Sequence, residues 1–389
     1  MWYFRSPEIV FGEDALEHLE TLKGQRAFIV TDAVMLQLGF VELIGYHLRK
    51  AGLEYRFFAE VAQEPTLGAV QAGVESLVAF QPDWIIGLGG GSALDAAKAM
   101  WILYENPGFD LTNLGPFTEI TLRQKARLIA IPTTSGTGSE CTWALVLTDP
   151  VENRKLGLGS PEALPDIAII DPILPLKMPP RLTADTGFDV LTHGIEGYTA
   201  SLYNDFSDGV CLKAIQLVFE YLPRAFKDGC DREAREKMHN AATLAGLGFG
   251  NSMAALAHSL GHSFGAIFHV PHGRAVGLFL PYTIQFMARG PLPTRFHEIS
   301  RFLGLGAGAP AAGAINLVKA IRELATAVGQ PLTIREAIDI SPEVFEAALD
   351  RLAANAEADS VIAMGSRIPT AEEIARLLWY AYEGKEVDF

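Results

Sequence analysis

The sequence predicts two domains in series, an α/β half with a mainly parallel sheet over residues 1–180 and an all-α half over 181–389. Three observations predict it. Short apolar runs alternate with amphipathic stretches through the first half, as in βαβ units. The segment DPILPLKMPPRLT (171–183), with four prolines in thirteen residues, then breaks that pattern. Beyond it strand signals nearly vanish and helical periodicity continues to the end. A chain of 389 residues is long enough for two such domains.

In the first half, RAFIVTD (26–32) reads as a buried strand ending in an acid, and VELIGYHLRKAGL (41–53) as a helix. EYRFFAEV (54–61) is a strand and LGAVQAGVESLVAF (67–80) a helix. DWIIGLGGGS (83–92) is a strand running into a glycine loop, followed by the helical ALDAAKAMWILYE (93–105). RLIAIPTTSGTGSE (127–140) is a strand followed by a second polar loop. In the second half four stretches, 207–226, 232–264, 310–329 and 370–384, show helical spacing.

Composition narrows the function. Hydrophobic content of 49% and charged content of 20% are ordinary for a globular chain with a large core. A net charge of −15 without any basic run argues against nucleic acid and anionic membranes as partners. No apolar stretch approaches the ~20 residues of a membrane span. The N-terminus MWYFRSPEIVFGED lacks the features of a signal peptide, so the expected location is the cytoplasm. Cys141, Cys211 and Cys230 are far apart and form neither a disulfide framework nor a thiolate metal site.

The loops of a parallel sheet bind ligands beyond the carboxyl ends of the strands. Gly89, Gly90 and Gly91 let the backbone approach a phosphate at a helix N-terminus. Ser92 reads as the N-cap, with Asp95 three residues on as in a capping box. Ser92 also replaces the third glycine of G-x-G-x-x-G, so a plain strand-to-helix turn is the competing reading. Hydroxyls of Thr133, Thr134, Ser135 and Thr137 could bond phosphate, ribose or the nicotinamide amide, or could satisfy themselves within a turn. Asp32 could accept both ribose hydroxyls and repel a 2′-phosphate, which favours NAD(H) over NADP(H); otherwise it is a helix cap. Lys155, in RKLGLGS, could pair with pyrophosphate or be a solvated lysine.

The second half carries the metal chemistry. Four of the nine histidines lie in HSLGHSFGAIFHVPH (258–272). His258 and His262 stand at i and i+4, on one helix face, and His272 follows a proline on a turn that could fold back. Asp189 and His193 repeat the i, i+4 spacing in GFDVLTHGIEGY (187–198). Asp189, His193, His258 and His272 together suit a divalent ion with N/O preference, Fe²⁺, Zn²⁺, Mn²⁺ or Co²⁺. His18, His47, His239 and His297 read as structural.

GGGSALDAAK, IPTTSGTGSE, LPDIAIIDP, GFDVLTHGIEGY and HSLGHSFGAIFHVPHG, in this order, resemble the iron-dependent (group III) alcohol dehydrogenase family. AKAMWILYENP, ASLYNDFSDG and YAYEGKEVDF are similar in particular to the alcohol-dehydrogenase module of bifunctional aldehyde–alcohol dehydrogenases. The resemblance covers nearly the whole chain. It implies the dehydroquinate synthase-like fold, with an N-terminal dinucleotide-binding domain and a helical C-terminal domain. It implies Fe²⁺, or Zn²⁺ or another divalent metal, on Asp189, His193, His258 and His272. It also implies NAD(H), a small alcohol or aldehyde as substrate, and a homodimer. It places Asp32, the glycine loop, Thr133, Thr137 and Lys155 at the cofactor and Phe249 in the substrate pocket. His262 is implied near the metal, in proton transfer or substrate positioning, and His269 has no implied role. The implied reaction is reversible oxidation of a primary alcohol. Rival readings are a non-redox dehydroquinate synthase-like enzyme, whose metal set usually includes a glutamate, a glycerol dehydrogenase-like enzyme, or an inactive metal- or nucleotide-binding protein. Two departures from the family are Glu64-Pro65, where Asn-Pro is common near the cofactor, and Gly365-Ser366-Arg367, where Asn-Pro-Arg borders the active site.

Overall fold

The computed structural model describes residues 3–62, 65–149, 154–306 and 308–389; Glu64 of the first departure lies outside them. The chain divides into two compact units, Arg5–Lys177, and Met178–Phe389 with the residues preceding Arg5.

The first unit contains strands β1 (Glu8–Phe11) and β2 (Arg26–Val30), helices α1 (Ala33–Gln37) and α2 (Phe40–Lys50), and strand β3 (Glu54–Phe58). Helix α3 (Leu67–Phe80), strand β4 (Trp84–Gly89), helix α4 (Gly91–Glu105) and strand β5 (Arg127–Pro132) follow. A hairpin, β6 (Ala144–Asp149) and β7 (Arg154–Gly159), precedes β8 (Ile167–Ile170). Six strands form one parallel sheet in the order β1-β8-β5-β4-β2-β3, and β6 pairs antiparallel with β7. The pleat divides the core. Phe28, Val30 and Ile85 join Val70, Leu77, Met100 and Trp101, whereas Ile29, Ile86 and Ile129 join Ile44 and Leu48. Both faces of the sheet are thus covered, which explains the unbroken apolar run of β4, buried at all six positions.

Strands β1 and β8, the short helix α1 and the β6–β7 pair are not among the elements that the sequence pattern predicts. β1 is a four-residue edge strand, exposed at both ends and half-buried at its two middle residues, and too short to show a period. The glycines of RKLGLG, which is β7, weaken its strand signal. Strand order carries a functional consequence. The chain leaves β2 for β3 at one edge and returns across it to β4, so the switch point lies between β2 and β4. Asp32 follows β2, and Gly90 and Gly91 follow β4.

Helices α5 (Pro180–Thr199), α6 (Asp205–Lys227), α7 (Arg232–Gly250), α8 (Leu256–Phe268) and α9 (His272–Ala288) build the core of the second unit. They are followed by α10 (Phe296–Phe302), α11 (Pro310–Ala327), α12 (Ile334–Ala337), α13 (Pro342–Glu357) and α14 (Ala371–Glu383). No described residue after Lys177 is in a strand. Among the described residues no helix is long and apolar enough to cross a membrane. The helical pattern over 232–264 is two helices, separated by a break at 251–255.

Helix α5 is the axis of this unit, with α6, α7, α8 and α9 around it. Almost every residue from Thr183 to Tyr198 is buried. Two glycines allow such close packing. A Cβ on Gly187 would stand 2.3 Å from Leu222 of α6, and one on Gly273 of α9 would stand 2.2 Å from the Asp185 backbone oxygen. Gly273 therefore lets the first turn of α9 lie against α5. Gly273→Ala should force the helices apart and destabilise the protein by about 1–3 kcal/mol, the usual overpacking range. Thermal unfolding of the metal-free protein measures it; an unchanged melting temperature would show that the helix contact can yield freely.

Candidate functional site

Helix α5 presents Asp189, His193 and Glu196 on one face, all buried. His258 reaches the same place from α8, and His272 from the first residue of α9. His272 is thus a helix start rather than a loop residue. Ligand atoms of Asp189, His193, His258 and His272 all lie within 4.8 Å of one another. Asp189 Oδ1 is 3.3 Å from His272 Nε2, 3.8 Å from His193 Nδ1 and 4.0 Å from His258 Nε2. Phe249, near the end of α7, stacks on His193 with ring centroids 4.0 Å apart.

Three buried atoms here lack any hydrogen-bond partner: Asp189 Oδ1, His193 Nδ1 and His258 Nε2. Each such group costs roughly 1–3 kcal/mol if left unpaired. A cation satisfies all three at once, so the donor set fits a divalent metal.

The electrostatics follow from burial. Burial pushes His193 down to about 3, partly countered by Asp189 and reinforced by the neighbouring imidazoles. Burial likewise pushes His272 down to about 4, against the pull of Asp189. Burial works to raise the Asp189 carboxyl, but His193, His272 and His258 hold it well below the usual range. His258 is raised, because the Glu196 charge and hydrogen bond outweigh its burial.

His262 stands beside this group, its ring centroid 5.2 Å from His272 and 5.8 Å from His258. Its Nδ1 lies 2.7 Å from Asp359 Oδ2. Burial raises the Asp359 carboxyl, yet the bond to His262 brings it below its ordinary value. His269 is the exposed, left-handed end of α8. Arg367 of the second departure donates to the backbone oxygens of Phe286 and Phe389 and pairs with Glu373, so it fastens the C-terminal segment.

In the first unit the predicted cofactor residues sit at the carboxyl ends of the strands. Asp32 caps α1, its Oδ1 accepting from Val34 N at 2.8 Å and Met35 N at 3.0 Å. A Cβ on Gly89, whose φ is +146°, would stand 3.4 Å from Asp32 Oδ2 and 2.8 Å from Ala93. Gly90 and Gly91 face the second loop, where their Cβ atoms would meet Thr134 and Thr137 at 3.4 and 2.7 Å. Thr133 N donates to Gly89 O, and the buried Thr133 Oγ1 has no partner.

The expected capping box is not formed. Gly90, not Ser92, is the cap of α4, with no side-chain bond, and Ser92 lies within the first turn. Asp95 turns away from the helix end. Its oxygens accept from Ser139 Oγ at 2.6 Å and Val146 N at 2.9 Å, with Lys98 Nζ 3.9 Å away. Asp95 therefore makes internal bonds to Ser139 and Val146 in place of the helix-end bond of a capping box. Fully buried Lys98 also bonds Ser139 Oγ and Ala144 O, and burial pushes it down to about 8. Lys155 is half-buried on β7, opposite Thr148. Lys98, Glu196 and Asp359 were missed as site-supporting residues. Only Glu196 had a legible signal, its i+7 spacing from Asp189.

The family description "iron-containing alcohol dehydrogenase" matches residues 6–172, and that of the iron-containing alcohol dehydrogenase C-terminal region matches residues 183–382. The chain belongs to the iron-containing alcohol dehydrogenase family. An NADPH-dependent butanol dehydrogenase of Clostridium saccharobutylicum is 38% identical, with 98% of each chain covered. The bifunctional aldehyde-alcohol dehydrogenase of Escherichia coli K12 is 37% identical over 99% of this chain and 46% of its own length. This chain thus spans about half of that relative. The iron-containing alcohol dehydrogenase of Thermococcus thioreducens superposes with a TM-score of 0.90 at 34% identity, covering 99% of this chain and all of the other.

The electrostatics predict how the metal-free family member responds to acid. Unfolded imidazoles protonate below their ordinary value of 6.5, whereas His193 and His272 stay neutral in the fold down to about 3 and about 4. Their contribution to stability is present above 6.5 and is lost as pH falls to about 4 for His272 and about 3 for His193; the raised His258 works in the opposite sense. Denaturant titrations of the metal-free protein across this range should show falling stability; a flat profile would contradict the assignment of neutral, buried imidazoles.

Proposed function

We propose that the chain is a metal-dependent, NAD(H)-linked oxidoreductase that interconverts a small primary alcohol and its aldehyde. The single observation carrying this reading is the cluster of one carboxylate and three imidazoles with three orphaned buried atoms. Asp189, His193, His258 and His272 would hold the ion, Fe²⁺ in keeping with the family, or Zn²⁺ or another divalent metal. Such an ion supplies Lewis-acid polarisation of an alcohol or carbonyl oxygen, and the nicotinamide supplies the hydride acceptor or donor.

The remaining work falls to this chain's residues. Phe249 walls the substrate side of His193. Asp359 accepts the Nδ1–H of His262, which leaves Nε2 with its lone pair to take the alcohol proton outward. Gly89, Gly90, Gly91, Ser92, Thr133, Thr134 and Thr137 form the bed for the dinucleotide, and Lys155 pairs with its pyrophosphate. Asp32 has one oxygen engaged in the helix cap, and Oδ2 beside Gly89 would accept the ribose hydroxyls. Its charge disfavours a 2′-phosphate. The butanol dehydrogenase relative is NADPH-dependent, so the NAD preference rests on this side chain. Three free thiols and the acidic surface charge support a cytoplasmic placement without nucleic-acid partners. A homodimer is carried by the family resemblance.

Anaerobic metal reconstitution followed by a screen of short alcohols, diols and aldehydes with both cofactors tests the reading. Absence of any turnover with stoichiometric metal bound would overturn it. His262→Ala should lower turnover by about 100-fold or more at unchanged metal content; loss of the metal would instead make His262 a ligand. Asp32→Ser keeps a helix-capping oxygen and should raise the NADP/NAD efficiency ratio by at least about tenfold, since like charges brought together cost several kcal/mol. A ratio unmoved in steady-state kinetics would remove Asp32 from cofactor selection.

A further inference from the structure

We propose that Glu196 is a positioning residue for the metal, holding His258 in the one tautomer and orientation that aims Nε2 into the cluster. The inference rests on the metal reading given above.

Glu196 is buried, with 3% of its surface exposed, and lies on α5 seven residues beyond Asp189. Its Oε2 is 2.5 Å from His258 Nδ1 and accepts from Ala255 N at 2.8 Å. Its Oε1 accepts from Ala257 N at 2.6 Å. An ionised carboxylate only accepts hydrogen bonds. Nδ1 of His258 must therefore carry a proton, and in the neutral imidazole the lone pair sits on Nε2. That Nε2 is one of the orphaned buried atoms, 4.0 Å from Asp189 Oδ1. One helix thus places Glu196 behind the ring, bonded to it, and Asp189 in front of it, with Oδ1 4.0 Å from Nε2 and unbonded. A carboxylate behind a ligating imidazole also makes it a stronger donor, and removing such a partner commonly lowers metal affinity 10–100-fold.

The two backbone bonds add a second function. Helix α8 begins at Leu256 after Ala255, whose side chain cannot cap it. Glu196 supplies the acceptor instead, from another helix, so the start of α8 and the tautomer of His258 are set by the same carboxylate. A plain cap would need only the two backbone bonds. The third bond, to the imidazole, is what assigns a role toward the metal.

Co²⁺ and Zn²⁺ titrations of wild type and Glu196→Gln, with thermal unfolding of the metal-free proteins, test this. The expected result is a 10–100-fold weaker affinity for both ions and an altered Co²⁺ absorption spectrum in the variant. If Glu196→Gln proves too unstable, Ala255→Ser in the same chain gives α8 its own cap. Restored stability with affinity still low supports positioning. Wild-type affinity and an unaltered spectrum in either variant overturn it and leave Glu196 a cap alone. If wild type itself binds neither ion stoichiometrically, the metal reading fails, and this inference with it.

Discussion

The burial of the Asp189 charge is the constraint on which the second unit depends. A carboxylate removed from water costs several kcal/mol unless other charges or donors compensate it. Its facing groups are three imidazoles, two of which burial itself keeps neutral. The cluster therefore holds negative charge and bare lone pairs together in an apolar interior. That arrangement suits a cation and little else. The surrounding helices are placed accordingly: α5 is enclosed on several sides, and Gly273 lets α9 approach until its first side chain meets Asp189.

The first unit meets a related difficulty with backbone groups. Its inner strands are covered on both faces, so polar chemistry is confined to the loops beyond their carboxyl ends. Two of those loops lie against each other, glycine backbone on threonine side chains. Beneath them the buried Lys98 and the half-buried Asp95 share the Ser139 hydroxyl. The pair draws the helix that follows β4 and the loop that follows β5 into one rigid edge. Rigidity there matters because a phosphate held by N–H groups tolerates little displacement.

Both units show that carboxylates can act at one remove. Asp95 reads as a capping-box residue, and its bonds to Ser139 and Val146 turn it inward. Glu196 stood in a quoted motif without a role, and Asp359 in a segment that showed no pattern. Each found its partner through a long-range contact: Asp359 is 97 residues from His262, and Glu196 is 62 residues from His258. Arg367 lies in a segment expected to border the active site, yet it binds the chain end. Spacing rules cannot report such pairings, because they describe only neighbours on one helix or strand.

What the sequence determined by itself is whatever repeats locally. Apolar period gave the alternation of strands and helices, the long helices after residue 180, and the loops at strand ends. The i, i+4 pairs Asp189–His193 and His258–His262 were legible because one helix turn sets their distance. Tertiary structure decided the rest. The strand order that puts the switch point beside Asp32 is set by which strands pair across the sheet. The choice of His258 over His262 for the cluster, and the place of His272 in it, are set by how α8 and α9 dock on α5. Those outcomes depend on close contacts between distant residues, and their energies exist only once the helices and strands have packed.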